Sequence, residues 1–581
     1  MVKQVQGNMV EFNFRAGGAA GQGVQTVGYI LAKTLARGGL YVHASQDYES
    51  RIRGGHNFFH IRVSENPIYG TSEKVDLLIA LDSRTVDLHS KALTAKGVAV
   101  FDGEKTGVEA REPCFFDVPF EHLASEAAGR SMFSNTVAIG AALSLVRYDF
   151  SILRAVLTEA FQAKSRKIAE DNVRAAEAGY KYAEENFKGS LEVELKPTQR
   201  PRRMLINGAE SVALGALAAG CKFMSGYPMT PSTGILQYMQ SKSAVLKLVV
   251  EQAEDEIAAL NMAVGASFAG VRAMTATSGG GFSLMVEAFG LAGMTETPVV
   301  VVLGQRPGPA TGFPTRTEQG ELEFVIHAAQ GEFARAVLAP RDAEDAFYLM
   351  SKAFNIAERY QIPVVVLTDQ YLADSYWTVE RFDLSKITID RGELLSEEEA
   401  SKIKDYARHK LTESGISPRA LPGYPRVLVV TDSDEHTEDG HITESAEVRV
   451  KMVEKRVWKT RGLEKEMTPL TYGSEKAGTV LLGWGSSYGA IREAVDRLNG
   501  EGFEVRMLHF NGLWPFPAAA TMEALKGAER RIMVESNATS QLSRVIRAET
   551  GIQMTGKILR YDGRPLTASF IVEAFKREVA S

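Results

Sequence analysis

A chain of 581 residues exceeds what one hydrophobic core supports and predicts three or four domains. Its 45% apolar and 24% charged residues are those of an ordinary soluble globular protein, and a net charge of -6 gives no electrostatic footprint for nucleic acid. The two cysteines, Cys114 and Cys221, cannot supply a four-thiolate iron–sulfur cluster; with no CxxC or HExxH spacing, no leader-like start and no membrane-length apolar run, a cytoplasmic chain holding no metal of its own is expected.

In chain order, residues 9–14 alternate like a strand, a glycine loop covers 17–23, and Val24, Val27, Ile30, Leu31 and Leu35 recur at helical spacing. The apolar runs 75–80 and 97–101 read as buried strands, so region 1–195 is expected to be α/β on a parallel sheet, helical from 135 to 187. The second region, 196–380, is entered through a linker, 192–203, marked by Pro197 and Pro201, and its α/β unit begins at Met204; strands are expected at 248–250, 272–276, 299–303 and 364–367. Residues 381–471 are charged and read as an excursion with partial local order. A last α/β unit, 472–581, has expected strands at 478–482, 503–508 and 531–534 and a helix at 488–498.

Four features of the second unit carry chemistry. The loop 227–233, YPMTPST, is stiffened by Pro228 and Pro231, which bracket the Thr230 hydroxyl and could hold a small polar ligand; taken alone it reads first as a rigid turn with Ser232 or Thr233 as a helix cap. An acidic helix start follows, with Glu251, Glu254 and Glu256. Glu256 stands where the pattern turns apolar and is the one expected to point inward, Glu287 being a second inward candidate. Gly279, Gly280 and Gly281 follow a strand and allow a flat ligand close to the backbone. Arg306 follows another strand end, where α/β sites form, and suits a carboxylate. Loop, acid, glycine turn and arginine in that order suggest one ligand site, lacking a phosphate anchor.

In the first region, Gly18, Gly21 and Gly23 do not fit GxGxxG, so a nicotinamide dinucleotide is disfavoured; a phosphate-bearing ligand or a plain tight turn remain as readings. Downstream, Arg51, Arg53 and His56 beside a Gly-Gly turn read equally as phosphate contacts or as a polar subunit contact.

With these residues in hand, the chain resembles the 2-oxoacid:ferredoxin oxidoreductases, in the form where gamma and alpha parts are fused. YPMTPST is similar to the family's YPITPSS motif, with Met229 in place of isoleucine, and GGAAGQGVQTVG and SQDYESRIRGGHN resemble its gamma part. The resemblance implies a multidomain α/β fold: a gamma-type domain, a pyrimidine-type thiamine-diphosphate domain and a transketolase C-terminal-like domain, the last through Trp514–Pro517 and Glu535 to Asn537. It implies thiamine diphosphate with Mg2+, coenzyme A as cosubstrate, and ferredoxin as electron acceptor. Glu256 then corresponds to the glutamate that hydrogen-bonds the aminopyrimidine, with Tyr227 and Pro228 beside the cofactor. Thr230 and Arg306 correspond to residues holding the substrate carboxylate and keto oxygen, and Thr315 is a further match. Arg51, Arg53 and His56 are candidate coenzyme A contacts.

The absences fit the same resemblance. No GDG motif for Mg2+–diphosphate occurs, and the cysteines of a [4Fe-4S] cluster are missing, so both are expected on a smaller beta subunit, in a dimer of alpha–beta heterodimers. The gamma–alpha fusion favours 2-oxoglutarate, with Arg316 or a partner lysine as the second cation for a distal carboxylate; pyruvate and branched-chain or aryl 2-oxoacids are the alternatives. A non-catalytic scaffold is argued against by the intact set Thr230, Glu256 and Arg306, and a transketolase-like enzyme by the gamma-like part.

Overall fold

The structure, a computed structural model, describes residues 11–49, 54–109, 114–189, 191 and 193–580. The chain divides into two compact units, Met1–Ile206 with Ser375–Arg381, and Asn207–Asp374 with Phe382–Ser581.

The first unit is built on an eight-stranded sheet. Glu11–Ala19, Val75–Ala80, Leu93–Phe101 and Phe115–Asp117 pair in parallel, as their spacing across helices requires. The expected all-parallel sheet is corrected in its other half. Tyr41–Asp47 and His56–Ser64 are joined by a connection too short for a crossover helix, so they pair antiparallel, and His56–Ser64 also pairs antiparallel with Glu11–Ala19. One face of these strands is apolar, with Phe12, Phe14, Val42, Ile61 and Val63 in the core that includes Leu31 and Leu35 of the helix Val24–Arg37. The other face carries Asn13, Arg15, His43, His60 and Arg62, all buried.

The second unit holds two sheets. In the larger, the neighbours run Pro363–Asp369, Val299–Gln305, Ala273–Thr277, Phe223–Gly226 and Val249–Gln252, all parallel. The central strands VVVVLGQ and PVVVLTD are buried along their whole length, as strands covered on both faces must be. The smaller sheet has Thr479–Trp484 between Val505–Phe510 and Arg530–Glu535, again parallel. A single apolar cluster links the two, running from Val301, Leu303 and Val365 to Leu482, Trp484 and Phe510. No helix among the described residues is long and apolar enough to cross a membrane.

Candidate functional site

Four neighbouring parallel strands of the larger sheet end at Gly226, Gln252, Thr277 and Gln305, and their carboxyl ends place the four sequence features along one edge. Ligands of open α/β sheets bind at such an edge.

The loop after Gly226 folds back on itself. Ser232 donates through both its backbone N–H and its Oγ to the Met229 carbonyl, at 2.9 and 2.7 Å. The hydroxyl is thereby used inside the turn, so the expected side-chain cap by Ser232 does not form. The loop lies against Gly304: a Cβ there would sit 2.9 Å from Pro231 Cγ, so that strand position needs glycine. Arg306 Nη1 donates to the Thr230 carbonyl at 2.8 Å, which joins the arginine to the loop. The half-buried Thr230 hydroxyl has no protein partner among the described residues. Tyr227 and Pro228 are exposed.

Glu256 is the first residue of the helix Glu256–Phe268, whose N-cap Asp255 accepts from the Ala258 N–H at 2.7 Å. Ser225 Oγ donates to the Ala259 carbonyl at 2.6 Å and ties the helix to its strand. Glu256 is 4% exposed, yet its Oε1 is buried with no hydrogen-bond partner. Glu251 and Glu254 are exposed, as their place at a helix start suggests. Glu287 is exposed too, which corrects the expectation that it points inward: it falls on the outer face of the helix Gly279–Met294.

That helix begins with the three glycines. A Cβ on Gly281 would lie 2.0 Å from Thr277 Oγ1 and 2.9 Å from Glu256 Oε1, so the Glu256 carboxyl rests against the turn. The buried hydroxyls of Thr275, Thr277 and Ser278 have no partner either. Buried polar groups are nearly always satisfied, so a cluster of orphans at a strand edge marks a place where a ligand completes the bonding. An inward carboxyl beside a turn stripped of side chains fits the aminopyrimidine of thiamine diphosphate, a flat heterocycle with polar edges.

The loop from Arg306 onward is anchored elsewhere. Gln319 donates through Nε2 to the Trp484 carbonyl at 2.8 Å and accepts at Oε1 from the Ser536 N–H at 3.2 Å, while Asn537 Nδ2 donates to its carbonyl at 3.0 Å. Glu535 is buried under Trp484 Nε1, Asn537 Nδ2 and the Leu542 N–H, and burial raises its carboxyl above the ordinary range. The arginine loop is therefore held by Trp484, Ser536 and Asn537, and Glu535 in turn bonds Trp484 and Asn537. Thr315 and Arg316 lie half-buried on this loop, and the bond recorded between them runs from Arg316 Nη1 to the Thr315 carbonyl at 3.4 Å. Among the described residues no hydrogen bond joins Thr315 to Thr230, Glu256 or Arg306.

Sequence reasoning missed Glu321 at the end of the loop. Its N–H donates to Gln305 Oε1 at 3.1 Å, and its Oε2 is buried without a partner. The signal was present: an acid followed by the apolar Leu322, Val325 and Ile326, the argument that singles out Glu256. Burial pulls the Arg306 guanidinium below its ordinary value, with Glu321 opposing.

In the first unit, the helix after the glycine loop starts from Gly23 in a left-handed conformation (φ 79°) with no side-chain cap. A cavity of about 230 Å³ beside it is lined by Gly21, Gln22, Lys105, Ser134 and Asn135, a setting that suits an anionic group. His56 is not part of it. The residue is 6% exposed, its Nε2 lies 2.8 Å from His89 Nε2, and burial lowers its pKa, so it offers a neutral imidazole inside the sheet rather than a surface cation. Arg51 and Arg53 lie outside the described residues. Cys221 is buried, and burial pushes its thiol up to about 12. Among the described residues no group of side chains could hold a metal ion.

Comparison with known proteins agrees with this layout. Residues 214–455 match the family described as pyruvate flavodoxin/ferredoxin oxidoreductase, thiamine diphosphate-binding. Residues 13–182 match pyruvate ferredoxin/flavodoxin oxidoreductase, and 477–571 match core domain II of pyruvate:ferredoxin oxidoreductase. The chain is 33% identical to a 2-oxoacid:ferredoxin oxidoreductase subunit alpha from Sulfolobus sp, over 96% of this chain and 95% of that one. It is 29% identical to the 2-oxoglutarate oxidoreductase subunit KorA of Mycobacterium tuberculosis, over 92% and 86%. Among solved structures, 2-oxoglutarate:ferredoxin oxidoreductase from Magnetococcus marinus, with 2-oxoglutarate, coenzyme A and succinyl-CoA bound, superposes with a TM-score of 0.91 at 32% identity, covering 98% of this chain and 99% of that one.

Proposed function

The chain belongs to the 2-oxoacid:ferredoxin oxidoreductase family as an alpha-type subunit, and from that membership we propose that, together with a beta subunit, it carries out thiamine-dependent, coenzyme A-linked oxidative decarboxylation of a 2-oxoacid, with 2-oxoglutarate as preferred substrate and ferredoxin as acceptor. The reverse reductive carboxylation uses the same residues. The observation that carries the reading is the buried, unpartnered Oε1 of Glu256 against the glycine turn.

Thiamine diphosphate supplies a carbon nucleophile and an electron sink for the decarboxylation. Glu256, through its unpartnered Oε1, would hydrogen-bond the aminopyrimidine and so favour the proton distribution that activates the cofactor. It stands at the first turn of a helix, and the Asp255 cap fixes that turn. Gly279, Gly280 and Gly281 leave room for the heterocycle. Arg306 and the Thr230 hydroxyl hold the carboxylate and keto oxygen of the substrate, and the 2.8 Å bond from Arg306 to the Thr230 carbonyl makes them one rigid clamp. Preference for 2-oxoglutarate rests on the names of the Mycobacterium and Magnetococcus relatives. Arg316, on the same loop, is the cation in this chain proposed for a distal carboxylate.

The beta subunit supplies what the sequence lacks: the Mg2+–diphosphate motif and the [4Fe-4S] cysteines. Exposed Val249, Ile257, Met262 and Leu284 lie on the elements flanking Glu256 and the glycine turn, where a second chain covers them. The assembly proposed is a dimer of alpha–beta heterodimers.

The test is co-expression with a partner chain carrying a GDG motif and four cysteines, followed by 2-oxoacid- and coenzyme A-dependent reduction of a low-potential acceptor. Reduction fastest with 2-oxoglutarate is expected. Reduction fastest with pyruvate or a branched-chain 2-oxoacid overturns the substrate, and none with any 2-oxoacid overturns the function.

A further inference from the structure

Glu321 is a second acid at the same glycine turn. A Cβ on Gly279 would lie 2.5 Å from Glu321 Oε1, while one on Gly281 would lie 2.9 Å from Glu256 Oε1. The two carboxyls thus approach one helix start from different segments. The backbone of Glu321 is held at the strand ends: its N–H donates to Gln305 Oε1, and Gln305 Nε2 donates to the Thr368 carbonyl at 3.2 Å. The residue as a whole is half-buried, but Oε2 is sealed from solvent and bonds to nothing. No ion pair joins it to Arg306, although Arg306 is the cation that acts on it; Nη1 of the arginine goes to Thr230 instead.

An ionised carboxylate left unpaired and dry is costly, whereas a protonated one is not, and it carries an O–H donor. The surroundings decide between them. Burial and the charge of Glu318 push the Glu321 carboxyl up to about 8, against the pull of Arg306. The helix start at Gly279 favours the charged form, and Glu256 is the other acid that faces this turn.

We propose that Glu321 is a proton-bearing carboxyl in the 2-oxoacid pocket that donates a hydrogen bond to the substrate carboxylate beside Arg306. The role rests on the function proposed above. It adds a donor without adding negative charge where an anion must bind, and it makes binding of the substrate anion depend on a proton that the pocket already holds. Above the carboxyl's pKa the same side chain repels the substrate.

The alpha–beta complex with 2-oxoglutarate tests this through KM as a function of pH. In the wild type KM is constant below pH 8 and rises above it, approaching tenfold per pH unit once Glu321 is ionised. Glu321→Gln, which keeps a donor and has no charge to gain, removes that rise. Glu321→Ala removes it too, with KM at pH 7 raised about tenfold by loss of a bond to a charged group. An infrared difference spectrum of the wild-type complex between pH 7 and pH 9 reads the proton directly: loss of a protonated-carboxyl band, absent from Glu321→Gln, is expected. An alkaline rise in KM that survives in Glu321→Gln, or no such band in the wild type, overturns the role of Glu321 while turnover leaves the function standing. Absence of turnover with every 2-oxoacid removes both.

Discussion

The second unit buries two glutamates in opposite ways. Glu296 precedes the strand Val299–Gln305 and Glu256 stands at the other end of the sheet, where the strands finish. Glu296 is fully buried and fully satisfied: Lys459 Nζ lies 2.6 Å from Oε2, while Lys455 Nζ and His409 Nδ1, the latter at 3.0 Å, reach Oε1. The two lysines hold its carboxyl well below the usual range, burial pulls Lys459 down to about 7, and His409, lowered to about 3, is neutral. Glu256 is nearly as buried, and its Oε1 meets nothing. A buried carboxyl kept for the fold is surrounded by its partners; one kept for a ligand is left incomplete by the protein alone.

This contrast breaks if the two residues exchange roles on mutation. The largest expected effect is on turnover: Glu256→Gln lowers kcat of the alpha–beta complex by roughly 10²–10⁴, the range of a lost acid–base partner, with the unfolding midpoint little changed. Next, Glu296→Gln leaves two buried lysines without a counter-charge and destabilises the unit by about 3–5 kcal/mol, read by denaturant unfolding, while enzyme that remains folded keeps its KM. The pH sign is set by the lowered carboxyl: Glu296 contributes stability that is present above its ordinary 4.5 and lost as pH falls through its depressed folded value, and Glu296→Gln flattens that acid slope. The smallest effect is Arg306→Lys, which gives up the planar fork held on Thr230 and raises KM for the 2-oxoacid about tenfold. Unchanged KM there would separate the arginine from the substrate.

How far the sequence carries this picture depends on range. The runs 75–80 and 299–303 announce themselves by apolar content, and the latter extends in the structure to Val299–Gln305. Glu256 is legible because polarity changes at that residue, and the pairing of Arg306 with Thr230 follows from both lying after strand ends. Contacts set by register are not legible. His56 reads as a loop residue beside a Gly-Gly turn, yet the antiparallel pairing with Glu11–Ala19 carries it into the sheet. Glu287 sits in an apolar stretch, but the helix turns it outward. The docking of Gln319 on Ser536 and Asn537 joins segments that periodicity treats separately, and the Glu321 carboxyl rests where a side chain on Gly279 would exclude it.

The central claim is that Glu256 completes its bonding on the aminopyrimidine. Hydrogen–deuterium exchange at the thiazolium C2 of thiamine diphosphate bound to the assembled alpha–beta complex tests it most directly. Fast exchange in the wild type, falling to the rate of free cofactor in Glu256→Ala with the complex still assembled, is the predicted result; exchange equally fast in the variant would contradict it.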